Sequence, residues 1–582
     1  MRSGKKLTLG ILPTFLCLLS MLVVACGGSG GTTSTQAQKA ASNKQVYNVP
    51  VPLADLKTLD PALVQDAYSI QAINAVFTGL VTLDDQLKVQ PQLAQNYSVG
   101  SDGLTWTFNL RSNLKFSDGT PLTSQDVVYS IDRALDPALN SAVAPSYLAL
   151  VKDSDKRVNK KVSTLIGDSL MAPNPTTVVI VTNKKNAQYF LDALTYPTSY
   201  VVEKSMITKY GNNFADHLNE GIGGDGPFTV KSYQHGKQID FAPNSNYYGP
   251  KPQLQDYRLS FYKVSDTAYR AYQSGQLSSA GVPTTDVASV KQSKDFHLVP
   301  QLWINYYTMN YLTKPFDNIK IRQAFALAVN KDLIAHNVWH DVYTSTNHIV
   351  PKGMPGYDQN LTGPDGAPTA GDTAKAKTLL QQGMQEEGYS SISQLPQITV
   401  TVATGGSADI RNEVAALQQM WQSALGVNVK IDDIDFNKLL TETIDATNNP
   451  KGIQMWGIAW IADYPDPQDW TSLQFGNGAP QNNMNYGQNK SSDAAQQQQV
   501  QQNLEAADVN TDSTARYQQY NTAEQQLIND VAWLPTTQVQ APIVRKTCVT
   551  GVIDNADGLV PPDDWGNIYI STDSNCANLT AI

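Results

Sequence analysis

From Val46 onward, short strand-like runs alternate with amphipathic helical segments to near the end of the chain. Such alternation restricts the fold to a mixed α/β architecture, because a bundle lacks the strands and a sandwich lacks the helices. TWTFNL at 105–110 changes polarity with period two between Asp102-Gly103 and Asn113, as a half-buried strand would. SDGTP at 117–121 is a turn, after which Thr123 can cap a helix through Asp126, Val127, Tyr129, Ile131 and Leu135. A second helix is predicted over 318–340, with Ile321, Phe325, Leu327, Ala328 and Ile334 on its apolar face. A third is predicted over 408–424, closing at Leu425-Gly426 where glycine takes a left-handed cap, and VNVKI at 427–431 follows as a strand. The Gln-rich stretch at 494–503 reads as the solvated face of a helix, with a further helix over 514–529.

A length of 582 residues exceeds what one hydrophobic core serves, so two or three structural domains are expected. Hydrophobic residues at 41% against 16% charged are enough to pack them, which argues against extensive disorder. The formal charge is −10, and Arg2, Lys5 and Lys6 all lie in the first 25 residues, so the body is more acidic still. With no clustered Lys and Arg among aromatics, nucleic-acid binding is excluded.

Those three cations precede an apolar stretch at 7–25, the layout of a secretory signal peptide. Nineteen residues would just span a bilayer, so length alone leaves a membrane anchor open. The exit decides, because LVVACG at 22–27 resembles the bacterial lipobox, in which the cysteine becomes the acylated first residue. Cys26 is therefore the expected lipid attachment, and 26–44, rich in Gly, Ser, Thr, Gln and Ala, a flexible tether to an extracytoplasmic body. Cys17 leaves with the signal, so Cys548 and Cys576 remain as one possible disulfide in an oxidising compartment or as two buried thiols.

An ordered series of motifs then covers the body: TLDP at 58–61, FTGLV at 77–81, LAQNY at 93–97, WTFNLR at 106–111, KFSDGTPLT at 115–123 and DVVYS at 126–130. It continues with GPF at 226–228, NYYG at 246–249, PFDNIKIRQAF at 315–325 and ADYPDP at 462–467. The series resembles the dipeptide- and oligopeptide-binding lipoproteins of bacterial ABC importers, solute-binding protein family 5. The resemblance implies a two-lobed periplasmic-binding-protein-like fold of type II, with an extra domain on the first lobe, that shuts on its guest like a hinge. Carried over, lobe I is 45–81, 203–303 and 535–582, the extra domain 82–202 and lobe II 304–534, with hinge crossings near Tyr306 and Pro535. It further implies a monomer that takes a short peptide, delivers it to the importer's permease subunits, needs no cofactor or metal and is not an enzyme.

WIADYPDP at 460–467 is the expected ligand-binding segment. In similar proteins the aspartate of this block pairs with the ligand's α-ammonium, and Asp463 holds that position. A desolvated carboxylate recognises the one cation every free peptide offers, whatever its side chains. Ala459, Ile461 and Ala462 would add strand-like backbone hydrogen bonds, and Trp460 and Tyr464 would wall the pocket or pack in the core. Asp463 itself could instead serve a turn or helix cap beside the prolines. Gln65 stands where one relative has a glutamate near the ligand's amino end. Gly457 replaces the arginine with which some oligopeptide binders meet a ligand carboxylate, which leaves sugars and nickel complexes open as guests.

Other signals lead elsewhere. GIGGDG at 221–226 has dinucleotide-like glycine spacing, but PFTV follows it as a strand where a helix is needed. His336 and His340 lack a third metal ligand, and Asp463, Asp466 and Asp469 lack calcium-loop spacing. GGSGG at 27–31 fits Gly-x-Ser-x-Gly only within the flexible tether, away from any strand-to-helix turn, and no phosphate loop or His-Glu-x-x-His pair occurs, although the paired carboxylates of a secreted hydrolase can come from distant segments.

Overall fold

The computed structural model describes residues 38–576 apart from Asn186, Gln188 and Pro480, so the signal segment 1–25 and Cys26 lie outside the described residues. Three sheets carry the architecture. In the first, Val46–Val51 runs parallel to Asp256–Phe261, followed by Gln238–Pro243 and Phe228–Gln234 in antiparallel order. The second is antiparallel, in the order Ala94–Val99, Thr105–Leu110, Thr177–Val181, Leu170–Asn174. The third and largest runs Ser279–Gly281, Leu534–Arg545, Phe296–Met309, Met455–Ile461, Ile398–Val402, Val429–Asp433.

Local rules explain most of these elements. In Thr105–Leu110, Phe108 and Leu110 are buried while Asn109 between them is exposed, as period two requires. Ser124–Ala134 begins with a capping box, in which the Thr123 N–H donates to Asp126 at 2.8 Å. Val127, Ile131 and Ala134 then face the core. Ala408–Leu425 ends at Gly426 with φ 73°, the left-handed turn a side chain would resist, and leads into Val429–Asp433, parallel to Ile398–Val402.

Three expectations are corrected. The helix predicted over 318–340 is two, Ile319–Leu327 and Lys331–Asn337. The side chain of Asn330 accepts from the Leu333 N–H at 3.0 Å and starts a new helix where the apolar periodicity alone continued the old one. In Ala494–Asp508 the Gln-rich face is only partly solvated, because Gln497 and Gln501 are buried. Gln497 Nε2 donates to Asp493 at 2.6 Å and Gln501 Nε2 to the carbonyls of Phe475 and Tyr486 at 2.8 Å each, so amides stand in a core position with their hydrogen bonds met. The ordered body begins before residue 45, since Lys39 bridges to Ser571 and the Ala40 N–H donates to the Ile570 carbonyl at 2.8 Å. Composition spoke for a tether there, but the order comes from an edge elsewhere in the chain.

Phe296–Met309 and Leu534–Arg545 are the long strands of the third sheet, and Tyr306 pairs with Pro535 across them. The two predicted crossing points thus stand opposite each other. The ladder shifts register between Asn305 and Tyr306, where two strands can bend together. Cys548 and Cys576, both buried, are joined as a disulfide with Cα atoms 6.1 Å apart.

Candidate functional site

A cavity of about 610 Å³ opens along the third sheet, whose strands Phe296–Met309 and Met455–Ile461 supply part of its lining. Gln65, Asp66, Tyr196, Trp303, Glu413 and the strand around Trp460 line it.

Met455–Ile461 is held on one edge by Phe296–Met309, from Met309 opposite Met455 to Trp303 opposite Ile461. On its other edge Ile398–Val402 reaches only Met455 and Trp456. Residues 457–461 therefore line the cavity with one edge that no strand covers. The Ala462 N–H donates to the Leu302 carbonyl at 2.9 Å. Alternation in an antiparallel ladder then turns the amides of Trp460 and Ile458 toward the same neighbour, and those of Ile461 and Ala459 toward the open edge. Of the three backbone contacts expected from sequence, Ala459 and Ile461 turn their amides to the uncovered edge. Ala462 lines the cavity with its N–H already used.

Asp463 follows directly. Its half-buried carboxylate accepts from the hydroxyl of Tyr147, and its N–H donates to Asp469 Oδ2 at 3.1 Å. Tyr147 is fixed by stacking on Tyr196, centroids 3.5 Å apart. Burial pushes the Asp463 carboxyl up to about 7, against the Tyr147 hydrogen bond, which favours the anion. Asp469, fully buried, is pushed well above the usual carboxylate range by burial and then by the charge of Asp463. Its Oδ2 also accepts from Trp460 Nε1 at 3.3 Å, while Oδ1 makes no hydrogen bond. Two carboxyls thus meet at the cavity wall, Asp463 lining it and Asp469 bonded to its N–H, and neither makes an ion pair among the described residues.

The remaining expectations divide. Trp460 and Gln65 line the cavity. Tyr464 does not: it is 1% exposed, packs in the core and donates its hydroxyl to Gln468, because the turn into 465–467 points it inward. The three clustered aspartates part ways, with Asp466 taken by Arg516 through two bonds of 2.7 Å. A Cβ on Gly457 would fall 2.5 Å from the Tyr307 ring, so an aromatic face fills the space a side chain would occupy there. Tyr147 and Tyr196 escaped sequence reasoning, since Tyr147 is 316 residues from Asp463 and no local pattern links them. Asp469 was in view only as a calcium candidate.

The family model for bacterial extracellular solute-binding proteins, family 5 (middle), matches residues 88–482. The oligopeptide-binding protein OppA of Bacillus subtilis is 26% identical over 79% of this chain and 83% of its own length. The dipeptide-binding protein DppE of the same organism is 27% identical over 93% and 96%. Among solved structures, the murein tripeptide binding protein MppA of Escherichia coli aligns with a TM-score of 0.79 at 22% identity, over 90% of this chain and 98% of its own. An unliganded open form of MppA scores 0.61 at 22% identity, over 93% and 99%. These likenesses establish the two-lobed fold, and with more than half of its length matched by the family model the chain belongs to the bacterial extracellular solute-binding proteins of family 5.

Proposed function

We propose that this chain captures short peptides outside the cytoplasm, shuts its two lobes over them and hands them to the permease subunits of an ABC importer. The observation that carries the reading is Asp463, a carboxylate without a cationic partner, at the end of an uncovered strand edge inside the cavity. A free peptide offers the matching pair: an α-ammonium for the carboxylate and an extended backbone for the amides of Ala459 and Ile461. Trp460 would wall the guest, and Gln65 would approach its amino end. The names of OppA and DppE, an oligopeptide and a dipeptide binder, support the same class of guest.

The domain scheme goes with this reading. A signal peptide at 1–25 and a lipid on Cys26 would anchor the protein to the membrane. Lobe I would comprise 45–81, 203–303 and 535–582, the extra domain 82–202, and lobe II 304–534, hinged at the Tyr306–Pro535 pairing. The protein would act as a monomer without a cofactor.

The test is mass spectrometry of ligand retained after gentle purification, followed by calorimetry with free and N-acetylated peptides. One-to-one binding without turnover, lost on acetylation and severely weakened in Asp463→Ala, is expected. Equal affinity for acetylated peptides would remove the ammonium argument. A retained sugar or metal complex would reassign the guest, and turnover of a peptide or glycoside would make the protein a hydrolase.

A further inference from the structure

Six carboxylates line the cavity, those of Asp66, Asp266, Asp409, Glu413, Asp463 and Asp557, and among the described residues Lys263 is the one basic side chain that joins them. Elsewhere the fold sets arginines on buried carboxylates: Arg133 on Asp60, Arg258 on Asp240, Arg322 on Asp493 and Arg516 on Asp466. None of the six in the cavity makes an ion pair within 4.0 Å among the described residues. Lys57 acts on Asp66 only at longer range.

Two of the six are nearly closed off from water. Glu413 is 4% exposed and accepts from Trp339 Nε1 at 2.6 Å and Thr536 Oγ1 at 3.0 Å. An indole N–H can only donate, so Glu413 Oε2 accepts there; burial pushes the Glu413 carboxyl above its usual range, and the hydrogen bonds from Trp339, Thr536 and Tyr307 oppose that rise. Asp66 is 5% exposed; its Oδ1 accepts from the Ser69 N–H at 2.9 Å and caps Ala67–Val76, while its Oδ2 makes no hydrogen bond. Asp409 stands one helical turn before Glu413 on Ala408–Leu425 and accepts from Thr284 Oγ1 at 2.8 Å. A carboxylate buried without a cation is costly, and a guest that brings positive charge relieves that cost as it binds. Near Gly457 the Tyr307 ring covers the backbone, and among the described residues Lys263 alone sets a basic side chain against the acidic lining.

We propose that the cavity selects guests with positive charge beyond the amino terminus, namely peptides bearing lysine or arginine side chains, over neutral or acidic peptides of equal length. The amino terminus goes to Asp463 and the basic side chain to the Asp409–Glu413 face. The proposal rests on the peptide reading, and the test separates the two.

Calorimetry of the mature protein with Ala-Ala-Ala, Ala-Lys-Ala and Ala-Glu-Ala at two salt concentrations supplies it. The lysine peptide is expected to bind at least tenfold more tightly than the alanine peptide, and the glutamate peptide at least tenfold more weakly. Both gaps should narrow as salt rises. Glu413→Gln should cut the lysine-to-alanine affinity ratio by at least fivefold. Should that variant fail to fold, Asp409→Asn, at a half-buried position, should cut it as well. Alanine and lysine peptides binding equally, or a ratio unmoved in both folded variants, would sink the charge selection and leave peptide capture standing. Failure of all three peptides to bind would overturn both.

Discussion

The raised Asp463 carboxyl predicts that empty closure depends on pH. The value of about 7 belongs to the arrangement seen here, with Tyr147 against the carboxylate. In an open form with water between the lobes, Asp463 should return toward its ordinary 3.8. The shut form then binds more protons than the open one, so acid favours closing. The effect appears as pH falls through about 7 and is complete near the open-form value. From pH 8 to pH 5 the closing constant of the empty protein should rise on the order of 100-fold, about 2.7 kcal/mol. Asp557 is also pushed up to about 7 and Asp469 is raised, so the wild type takes up more than one proton. Asp463→Asn isolates the one at issue. A fluorophore pair across the lobes, read with small-angle scattering, should show wild type shutting with acid and the variant responding with a slope lower by one proton. Identical slopes, or an empty protein equally compact at pH 8 and pH 5, would refute the reasoning.

Other perturbations test the frame around the site. Arg516→Met leaves Asp466 buried without its cation and should cost about 3–5 kcal/mol, seen as a lower guanidinium midpoint; adding Asp466→Leu should recover part of it. Replacing Cys548 and Cys576 with serine opens a link across a sequence separation of 28 and should cost about 3–4 kcal/mol, with the wild type matching the variant once reduced. Gly457→Ala drives a methyl into the Tyr307 ring and should cost about 1–3 kcal/mol in a thermal melt, together with weaker peptide binding. Unchanged stability and binding would mean that the Tyr307 ring gives way and that Gly457 is not needed for space.

What could be read from the sequence was what short range determines. Thr123 with Asp126, the alternation at 105–110 and Gly426 after an amphipathic run each carry their own geometry within a turn or two, and the structure places caps and strands there. Asp463 was within reach because its whole block is contiguous. Where a local signal met a tertiary one, the periodicity misled: Asn330 restarts a helix, and Gln497 and Gln501 are buried because the carboxylate and carbonyls that satisfy them come from neighbouring segments. Tyr464 faces inward for the same kind of reason, since the direction of a turn is set by what packs beneath it.

The charge of the cavity lies beyond any local reading. Its carboxylates come from positions 66, 266, 409, 413, 463 and 557, and only 409 and 413 are neighbours in sequence. Each alone resembles a cap, a turn or a solvated side chain, and the chain's net charge of −10 does not say where the negative groups gather. The fold brings those groups around one volume and leaves the arginines outside it, on Asp60, Asp240, Asp466 and Asp493. That division gives the chain two kinds of carboxylate, one paired with arginine within the fold and one without an ion pair among the described residues, which the proposed reading assigns to a cationic guest. The same desolvation that makes an empty shut form costly at neutral pH therefore makes a cationic guest the natural trigger for shutting.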